Sequence, residues 1–444
     1  MPAIGAIVWI SCRPLIKMAL ATGVGFTLSR MGIFNSMHAR GCGQVLLKAL
    51  YPALLFSKMV TGITTDNVSA IGPVAVCTLL YFLIGGIMSF IITTFFWVPH
   101  RFRYGIYASG IFSNVGDVPL AVSISITALS PFAGQKDTDV AIAYIAVASL
   151  VFFLVMFSFG GYSLIVADFS GPDQENIRRS VREQISYTTS TRTALISSLF
   201  KSKKAPVSTE ESADVEKADT TEKAEDPSNE AARADTSSTN SAEEHRRAAW
   251  EQHVQTITRT VRSLFQPITV AMSIGLVMGL VKPLKALLVH IPNDPIPDAP
   301  DGQPPLAFIM DTTVFLGNGA VPLGLMCLGT ALAQLKVPRS EWRRLPHGAI
   351  FSLALGKLFV MPIFGVLIVE GFVKIGFIDV NDKVLRFVLI FLSCVPTATT
   401  QVLLTQIYSP DGKADDVSAF LLPQYLLMLL SMTIVIAYAL HIIF

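Results

Sequence analysis

Ten long apolar runs dominate this sequence, and they restrict the chain to an all-α membrane protein. A helix needs roughly 20 mostly apolar residues to cross the hydrocarbon core of a bilayer. The runs lie at about residues 5–28, 43–62, 70–98, 104–128, 140–167, 263–289, 308–333, 346–372, 384–408 and 418–444. Only 15% of the residues are charged, against about 25% in a typical soluble domain. We therefore predict about ten transmembrane helices, with lipid as the solvent for most of the chain.

A polar segment divides the runs into two sets of five. This gives three predicted parts: residues 1–167, a loop at 168–262, and residues 263–444. Between residues 201 and 244 the loop is rich in Ala, Ser, Thr, Glu and Lys, so it cannot bury a core. We expect this part to be largely disordered. The basic residues near its ends suit the cytosolic flanks of membrane helices, and a specific lipid site is the alternative.

Positive charge is distributed unevenly among the short connections. Those after the first, third and seventh runs hold most of the Lys and Arg, including Arg30, Arg101 and Arg339. Because Lys and Arg are retained in cytosolic loops, this bias places the 168–262 loop in the cytosol and both chain ends on the other side.

Prolines recur at corresponding places in the two sets of runs. Pro52 and Pro119 lie in the second and fourth runs, and Pro322 and Pro396 lie in the seventh and ninth. Each half contains an odd number of spans, so the second half must enter the membrane from the opposite side. The pattern predicts two inverted five-helix repeats, and interrupted helices at matching positions of such repeats indicate a transporter's binding site.

The fourth and ninth runs are the ones we expect to break and cross. A break in hydrocarbon must face protein, water or ligand, because each unpaired backbone group costs several kcal/mol. Half-helix N-termini beside such breaks suit a carboxylate. The candidate substrate-binding residues are Asn114, Asp117, Pro119, Asn318, Pro396, Thr399, Thr400 and Gln401. Two structural alternatives remain: Asp117 only braces the fold, and the hydroxyls only bond back to their own helix.

Three further charged residues within the runs are possible charge partners: Lys58, Asp311 and Lys357. For Lys357, a purely structural ion pair is the alternative to attracting an anion. No enzyme motif and no His or Cys cluster occurs in the sequence, so we expect no catalytic residue, metal or cofactor. Basic residues form no stripe interleaved with aromatics, which argues against a nucleic-acid partner.

Several segments resemble the auxin efflux carriers, specifically the PIN-like group and its fungal members. They are SNVGDVPLA in the fourth run, PPLAFIMDTTVFLGNGAVPLGLMCLGTAL through the seventh, YPALLF in the second and VPTATTQVLLTQIY in the ninth. The resemblance implies a scaffold and a transport domain in each half, with the fourth and ninth helices crossing at their prolines beside an anionic substrate. Asn114, Pro119 and Pro396 match the motif, whereas Asp117 replaces the plant group's second asparagine. The resemblance also implies the endoplasmic reticulum membrane.

The function we predict is secondary transport of a small organic anion, such as an indole carboxylate, by alternating access. One alternative is a proton- or sodium-coupled symporter of the bile-acid-transporter-like fold. Another is a non-transporting membrane receptor or regulator that acts through its cytosolic loop. Besides the substrate, the expected partners are membrane lipid, a second copy in a homodimer, and a kinase acting on the Ser and Thr residues near Lys201, Lys203 and Lys204.

Overall fold

The computed structural model describes residues 4–62, 68–170, 179–201, 267–291, 296–334 and 345–444. Within these ranges the regular structure is helical, and the only β-type pairing is an isolated bridge between Ser113 and Thr397. The predicted all-α class is therefore confirmed. Residues 202–244, most of the segment predicted to be disordered, lie outside the described residues.

Most helices follow the predicted apolar runs, several of which are divided into two, and one helix, α8 (Val181–Lys201), lies in the polar segment between the halves. In chain order they are α1 Ile4–Arg30, α2 Ser36–Gly62, α3 Val68–Phe95, α4 Gly105–Ile111, α5 Asp117–Thr127, α6 Gln135–Ser158, α7 Ser163–Asp168, α8 Val181–Lys201, α9 Pro267–Leu280, α10 Lys282–Ala286, α11 Ala307–Asn318, α12 Ala320–Gln334, α13 His347–Lys374, α14 Lys383–Leu392, α15 Thr400–Tyr408 and α16 Asp415–Ile443.

Six helical segments of the described part are long and apolar enough to cross a membrane: α2, α3, α6, α11 with α12, α13 and α16. Large apolar side chains on their outer faces are exposed, for example Leu83, Phe315, Ile363 and Leu426. A surface of this kind suits lipid, because large apolar patches on a soluble monomer are uncommon.

The chain divides into two units. Met1–Ile185 and Ser263–Phe444 form the first, and Ser186–Arg262 form the second. Both predicted five-helix halves thus belong to one unit. Within it, α1 packs on α12 and α2 packs on α9, so helices from different halves share a core.

Two long helices contain a wide π-helical turn close to a proline. In α2 the turn is Leu46–Leu50, before Pro52, and in α13 it is Gly356–Val360, before Pro362. A proline cannot donate to the carbonyl four residues earlier, and the π-turn accommodates that missing bond within a continuous helix. The turn in α13 contains Lys357, whose buried ammonium donates to the carbonyls of Ser109 and Gly110 in α4, at 2.8 and 3.0 Å, and does not line the cavity described next.

Glycines allow α3 and α13 to approach the two interrupted runs closely. A Cβ atom on Gly85 of α3 would overlap the carbonyl oxygen of Gly110 in α4, and one on Gly365 of α13 would overlap the hydroxyl of Ser393, directly after α14. Backbones can come this near only where no side chain intervenes. Helix α3 therefore fixes the fourth run, and α13 fixes the ninth.

Candidate functional site

The fourth and ninth runs are each interrupted, and the two interruptions meet. Residues 112–116 separate α4 from α5, and residues 393–399 separate α14 from α15; we call these the crossing segments. The backbone N–H of Asn114 donates to the carbonyl of Pro396 at 2.8 Å, and that of Ala398 donates to the carbonyl of Phe112 at 3.1 Å. The crossing segments thus pair in antiparallel fashion and satisfy part of each other's backbone.

The prolines explain why the helices stop at these places. Pro119 has no N–H to donate to Val115 four residues earlier, and Pro396 has none to donate to Leu392, where α14 ends. A proline is tolerated in the first turn of a helix, and Pro119 occupies that turn of α5. The break therefore precedes Pro119.

A cavity opens beside the crossing segments. It encloses about 740 Å³ of empty space, its open mouth included. Its polar lining residues are Lys58, Ser113, Asn114, Ser149, Thr399 and Thr400, and its aromatic ones are Tyr51, Phe152 and Phe153. Of the predicted binding residues, the structure thus brings Asn114, Thr399 and Thr400 together around one space, and Lys58, a predicted charge partner, lines the same space.

Comparison with known proteins identifies the family. A sequence profile described as membrane transport protein matches residues 10–436, which is most of the chain. The chain belongs to this family. Its relatives include Protein ECM3 of Saccharomyces cerevisiae, 24% identical with 98% of both chains covered. PIN-LIKES 4 of Arabidopsis thaliana is 23% identical over 96% of this chain and 95% of that protein. The resemblance to the PIN-like group is confirmed, and the protein is a multi-pass membrane transporter.

Among the described residues that line the cavity of this transporter, Lys58 is the charged one. It lies on α2, is half-buried, and shares the lining with apolar and aromatic side chains. In the part of the chain that the structure describes, its ammonium has no hydrogen-bond or ion-pair partner. A cation held partly out of water without a partner is destabilising until an anion meets it.

Gln401 lies outside the cavity, although the sequence placed it among the binding residues. It is fully buried. Its side-chain N–H donates to the carbonyl of Gly105 at 2.7 Å, and its carbonyl accepts from the hydroxyl of Ser109 at 2.8 Å. These contacts join α15 to α4, so Gln401 braces the two broken helices against each other.

The other predicted residues are distributed around the site. Pro119 and Pro396 are buried but do not line the cavity, and Asn318 and Asp311 are exposed on α11. Asp117 begins α5, and its side chain lies outside the described part of the structure. Among the described residues, no group of His, Cys, Asp and Glu is arranged to hold a metal ion.

Two residues of α16 that sequence reasoning missed secure the second crossing segment. The side-chain carbonyl of Gln424 accepts from both the backbone N–H and the hydroxyl of Thr397, at 2.9 and 3.0 Å. The hydroxyl of Tyr425 donates to the carbonyl of Thr397 at 3.1 Å. The backbone N–H and the backbone carbonyl of Thr397 are thereby both hydrogen-bonded. A polar pair directly after Pro423, inside an apolar run, was the available sequence signal.

The N-terminal end of α4 is capped by Asp168, which follows the span of α6. Its two carboxylate oxygens accept from the backbone N–H groups of Tyr104 and Gly105, at 2.8 and 2.6 Å. Burial raises the pKa of this carboxyl to about 7, outweighing the lowering by the two N–H groups and by Arg103, and Asp416 raises it further.

The raised pKa predicts a pH dependence of stability. The unfolded carboxyl loses its proton near pH 3.9, whereas the folded one keeps it up to about pH 7. Stability therefore falls as the pH rises through this window and is level above it. The variant Asp168→Asn has no carboxyl at this position to titrate. As the pH rises from about 4 to 7, the Tm of wild type should therefore fall relative to the Tm of Asp168→Asn. Thermal unfolding in detergent across this range tests it, and a pH-independent difference would contradict the assignment.

Proposed function

We propose that this transporter carries a small amphipathic organic anion, such as an indole carboxylate, and binds it in the cavity beside the crossing segments. The observation that carries the proposal is the half-buried Lys58 ammonium, which has no partner among the described residues and shares its cavity with aromatic rings and neutral polar groups. An anionic group with an aromatic or aliphatic body complements both features. A neutral or cationic substrate would leave the ammonium unpaired.

The polar lining residues of the cavity suit a carboxylate in three ways. Lys58 supplies charge, and the Asn114 amide supplies a hydrogen-bond donor. Gly116, just before α5, and Thr400, the first residue of α15, both line the cavity. Two helix N-termini therefore border it, and the partial positive charge of a helix N-terminus favours an anion.

The aromatic lining residues of the cavity suit the body of the substrate. The rings of Tyr51 and Phe153 lie 5.9 Å apart between centroids, and those of Phe152 and Phe153 lie 5.0 Å apart and edge-on. Aromatic side chains in such clusters present both faces and edges to a ring that enters between them. An indole or phenyl group is therefore a better match than a purely polar acid.

We further propose that the transporter has ten spans in two inverted repeats, and that their movement opens this cavity to one side of the membrane at a time. Support comes from equivalent contacts in the two halves. Helix α3 approaches its own half's broken helix through Gly85, and α13 does the same through Gly365. Each of these two helices also bonds to the broken helix of the other half. The Tyr81 hydroxyl of α3 donates to the carbonyl of Leu389, and the Lys357 ammonium of α13 donates to the carbonyl of Ser109.

We also propose that the transporter acts in the endoplasmic reticulum membrane, as the resemblance implies. Colocalisation of the tagged full-length protein with markers of that membrane and of the plasma membrane distinguishes the two locations. A plasma-membrane signal alone would contradict this part of the proposal.

A thermal-shift comparison of matched acids and amides tests the substrate class. Purified transporter is heated with indole-3-acetate, phenylacetate and benzoate, and with the corresponding amides. The acids should raise Tm by mass action and the amides should not. Equal stabilisation by acid and amide would refute an anion site. Uptake of the best acid into proteoliposomes then tests transport itself.

Asn114→Ala should weaken acid binding by about 1–3 kcal/mol, because a buried carboxylate oxygen loses its partner. That corresponds to roughly 5- to 150-fold in Kd. Gln401→Ala is the matched control, since Gln401 braces helices outside the cavity. It should lower Tm while leaving the Kd of the folded protein nearly unchanged. The reverse pattern would show that Gln401, and not Asn114, contacts the substrate.

A further inference from the structure

Another cavity lies where α8 begins, and it shares no lining residue with the crossing segments or the substrate cavity. It encloses about 930 Å³ of empty space, its open side included. Three stretches of chain line it: residues 95–97 at the end of α3, 179–181 at the start of α8, and 346–349 at the start of α13. The charge bias of the short connections assigns this end of α3 and α13 to the cytosol.

The three stretches are held together by side-chain packing. The side-chain N–H of Gln184, a buried residue of α8, donates to the carbonyl of Thr93 in α3 at 3.2 Å. The start of α13 packs against the same end of α3, because a Cβ atom on Gly348 would overlap the ring of Phe96. The cavity is therefore a defined gap between three packed elements.

The ionisable side chains that line this cavity are basic. They are Arg179 and His347, and among the described residues its lining contains no Asp or Glu. A guanidinium presents a planar fork of N–H donors that matches the oxygen atoms of a phosphate. The lining thus favours an anion, and a phosphate in particular.

The start of α13 adds partial positive charge to the same space. Its first turn contains no acidic residue, and no side chain of the described residues caps it. Gly348 and Ala349 belong to this turn and line the cavity. The start of α8 differs, since the carboxylate of Glu183 accepts from the backbone N–H of Ser180 at 2.8 Å. The N–H groups at a helix start favour an anion, so α13 supports the charge of Arg179 here.

The third stretch is aromatic and follows directly from the apolar span of α3. It consists of Phe95, Phe96 and Trp97. Tryptophan is enriched at the membrane–water interface, because its ring is apolar and its N–H is polar. One helical turn further into each span, Ile91 of α3 and Phe351 of α13 expose large apolar side chains. A ligand with an anionic head and apolar chains matches both parts.

We propose that this cavity binds the headgroup of an anionic phospholipid of the cytosolic leaflet, with Arg179 and the start of α13 on its phosphate. Basic pockets between transmembrane helices on the cytoplasmic side suit such headgroups. The ligand is a lipid and not free phosphate, because the aromatic stretch and the exposed apolar residues give acyl chains a surface that a soluble ion does not use. The bound lipid holds the start of α8, and with it the beginning of the loop, at the membrane.

A lipid titration of the purified full-length transporter in detergent tests the site. Dioctanoyl phosphatidylinositol 4-phosphate should raise Tm in a saturable way, as expected for a ligand of the folded state. Dioctanoyl phosphatidylcholine at the same concentrations should not. Soluble inositol 1,4-bisphosphate carries the phosphates without the acyl chains, and its apparent Kd should be weaker by about tenfold or more.

Arg179→Gln should weaken binding of the anionic lipid by about tenfold, as expected when a charged hydrogen-bond donor is lost. Arg182→Gln is the matched control, because Arg182 lies on the same helix but is exposed and does not line the cavity. It should change the apparent Kd by less than about twofold. Arg179→Lys, which keeps the charge, should retain more affinity than Arg179→Gln. Without lipid, all three variants should have a Tm close to that of wild type.

Any of three results overturns the inference. The first is equal stabilisation of wild type by the anionic and the neutral lipid, and the second is equal binding of the lipid and the soluble inositol phosphate. The third is an equal loss of lipid binding in Arg179→Gln and Arg182→Gln, which would indicate a diffuse positive surface. Failure of the proposed function is a separate result, because it appears as absence of an acid-induced shift in wild type, and that shift should persist in Arg179→Gln.

Discussion

Lys58→Ala should weaken binding of the acid identified in the thermal-shift comparison by about 2–3 kcal/mol, which is roughly 30- to 150-fold in Kd. The reason is that the substrate carboxylate would enter an apolar cavity without its counter-charge. Removing one partner of a buried charge pair costs about 2–5 kcal/mol. The lower part of that range applies because Lys58 is only half-buried.

The matched control for this variant is Lys48→Ala. Lys48 lies on the same helix, α2, but is exposed and does not line the cavity. Its removal should leave Kd within about twofold of wild type, as most surface changes do. Lys58→Arg, which keeps the charge, should retain more affinity than Lys58→Ala. Equal effects of the two alanine variants would show that Lys58 acts only through the overall charge of the protein.

Gly85→Ala should destabilise the transporter by about 1–3 kcal/mol or more, the usual cost of overpacking a tight contact. The new Cβ would overlap the carbonyl oxygen of Gly110, a backbone atom that cannot rotate away. Either α3 or α4 must shift, and α4 is the helix that ends at the crossing segment.

The neighbouring glycine provides an internal comparison. A Cβ on Gly86 would lie 3.5 Å from the Ile111 side chain, which is an ordinary contact. Gly86→Ala should therefore be neutral or stabilising by up to about 1 kcal/mol, since alanine is the better helix former. Thermal unfolding of the two variants side by side measures the difference. Similar Tm values for both would refute the close approach of α3 and α4.

The sequence was sufficient to locate the helices and their breaks because those depend on local physics. Apolar length determines a span, and a proline determines which carbonyl loses its partner. The direction of a side chain around a broken helix is a different matter. Thr400 and Gln401 are adjacent in α15, yet one lines the cavity and the other faces α4. A turn of about 100° per residue separates them, and the packing that chooses the face is not local.

The residues that sequence reasoning missed are hidden for a related reason. Gln424 and Tyr425 lie within a continuous apolar helix, and their importance comes from Thr397, which is distant in the chain. In the sequence, Tyr51 and Phe153 cannot be distinguished from aromatic residues that face lipid or the core. Only the packing of α2 beside α6 shows that both line the cavity. For Asn318 the sequence predicted a binding role that the structure does not support. Its motif indicated a site, but the residue is exposed on α11.

The pairing of the two crossing segments has a mechanical consequence. Their shared hydrogen bonds, Asn114 to Pro396 and Ala398 to Phe112, are buried in an apolar interior where leaving such groups unpaired is costly. The two broken helices should therefore respond to a displacement as one body and not separately. Lys58 and Tyr51 lie on α2, whereas Asn114 and Thr399 belong to the paired crossing segments. The cavity lining is thus divided between two bodies, and a shift of one against the other would separate Lys58 from Asn114.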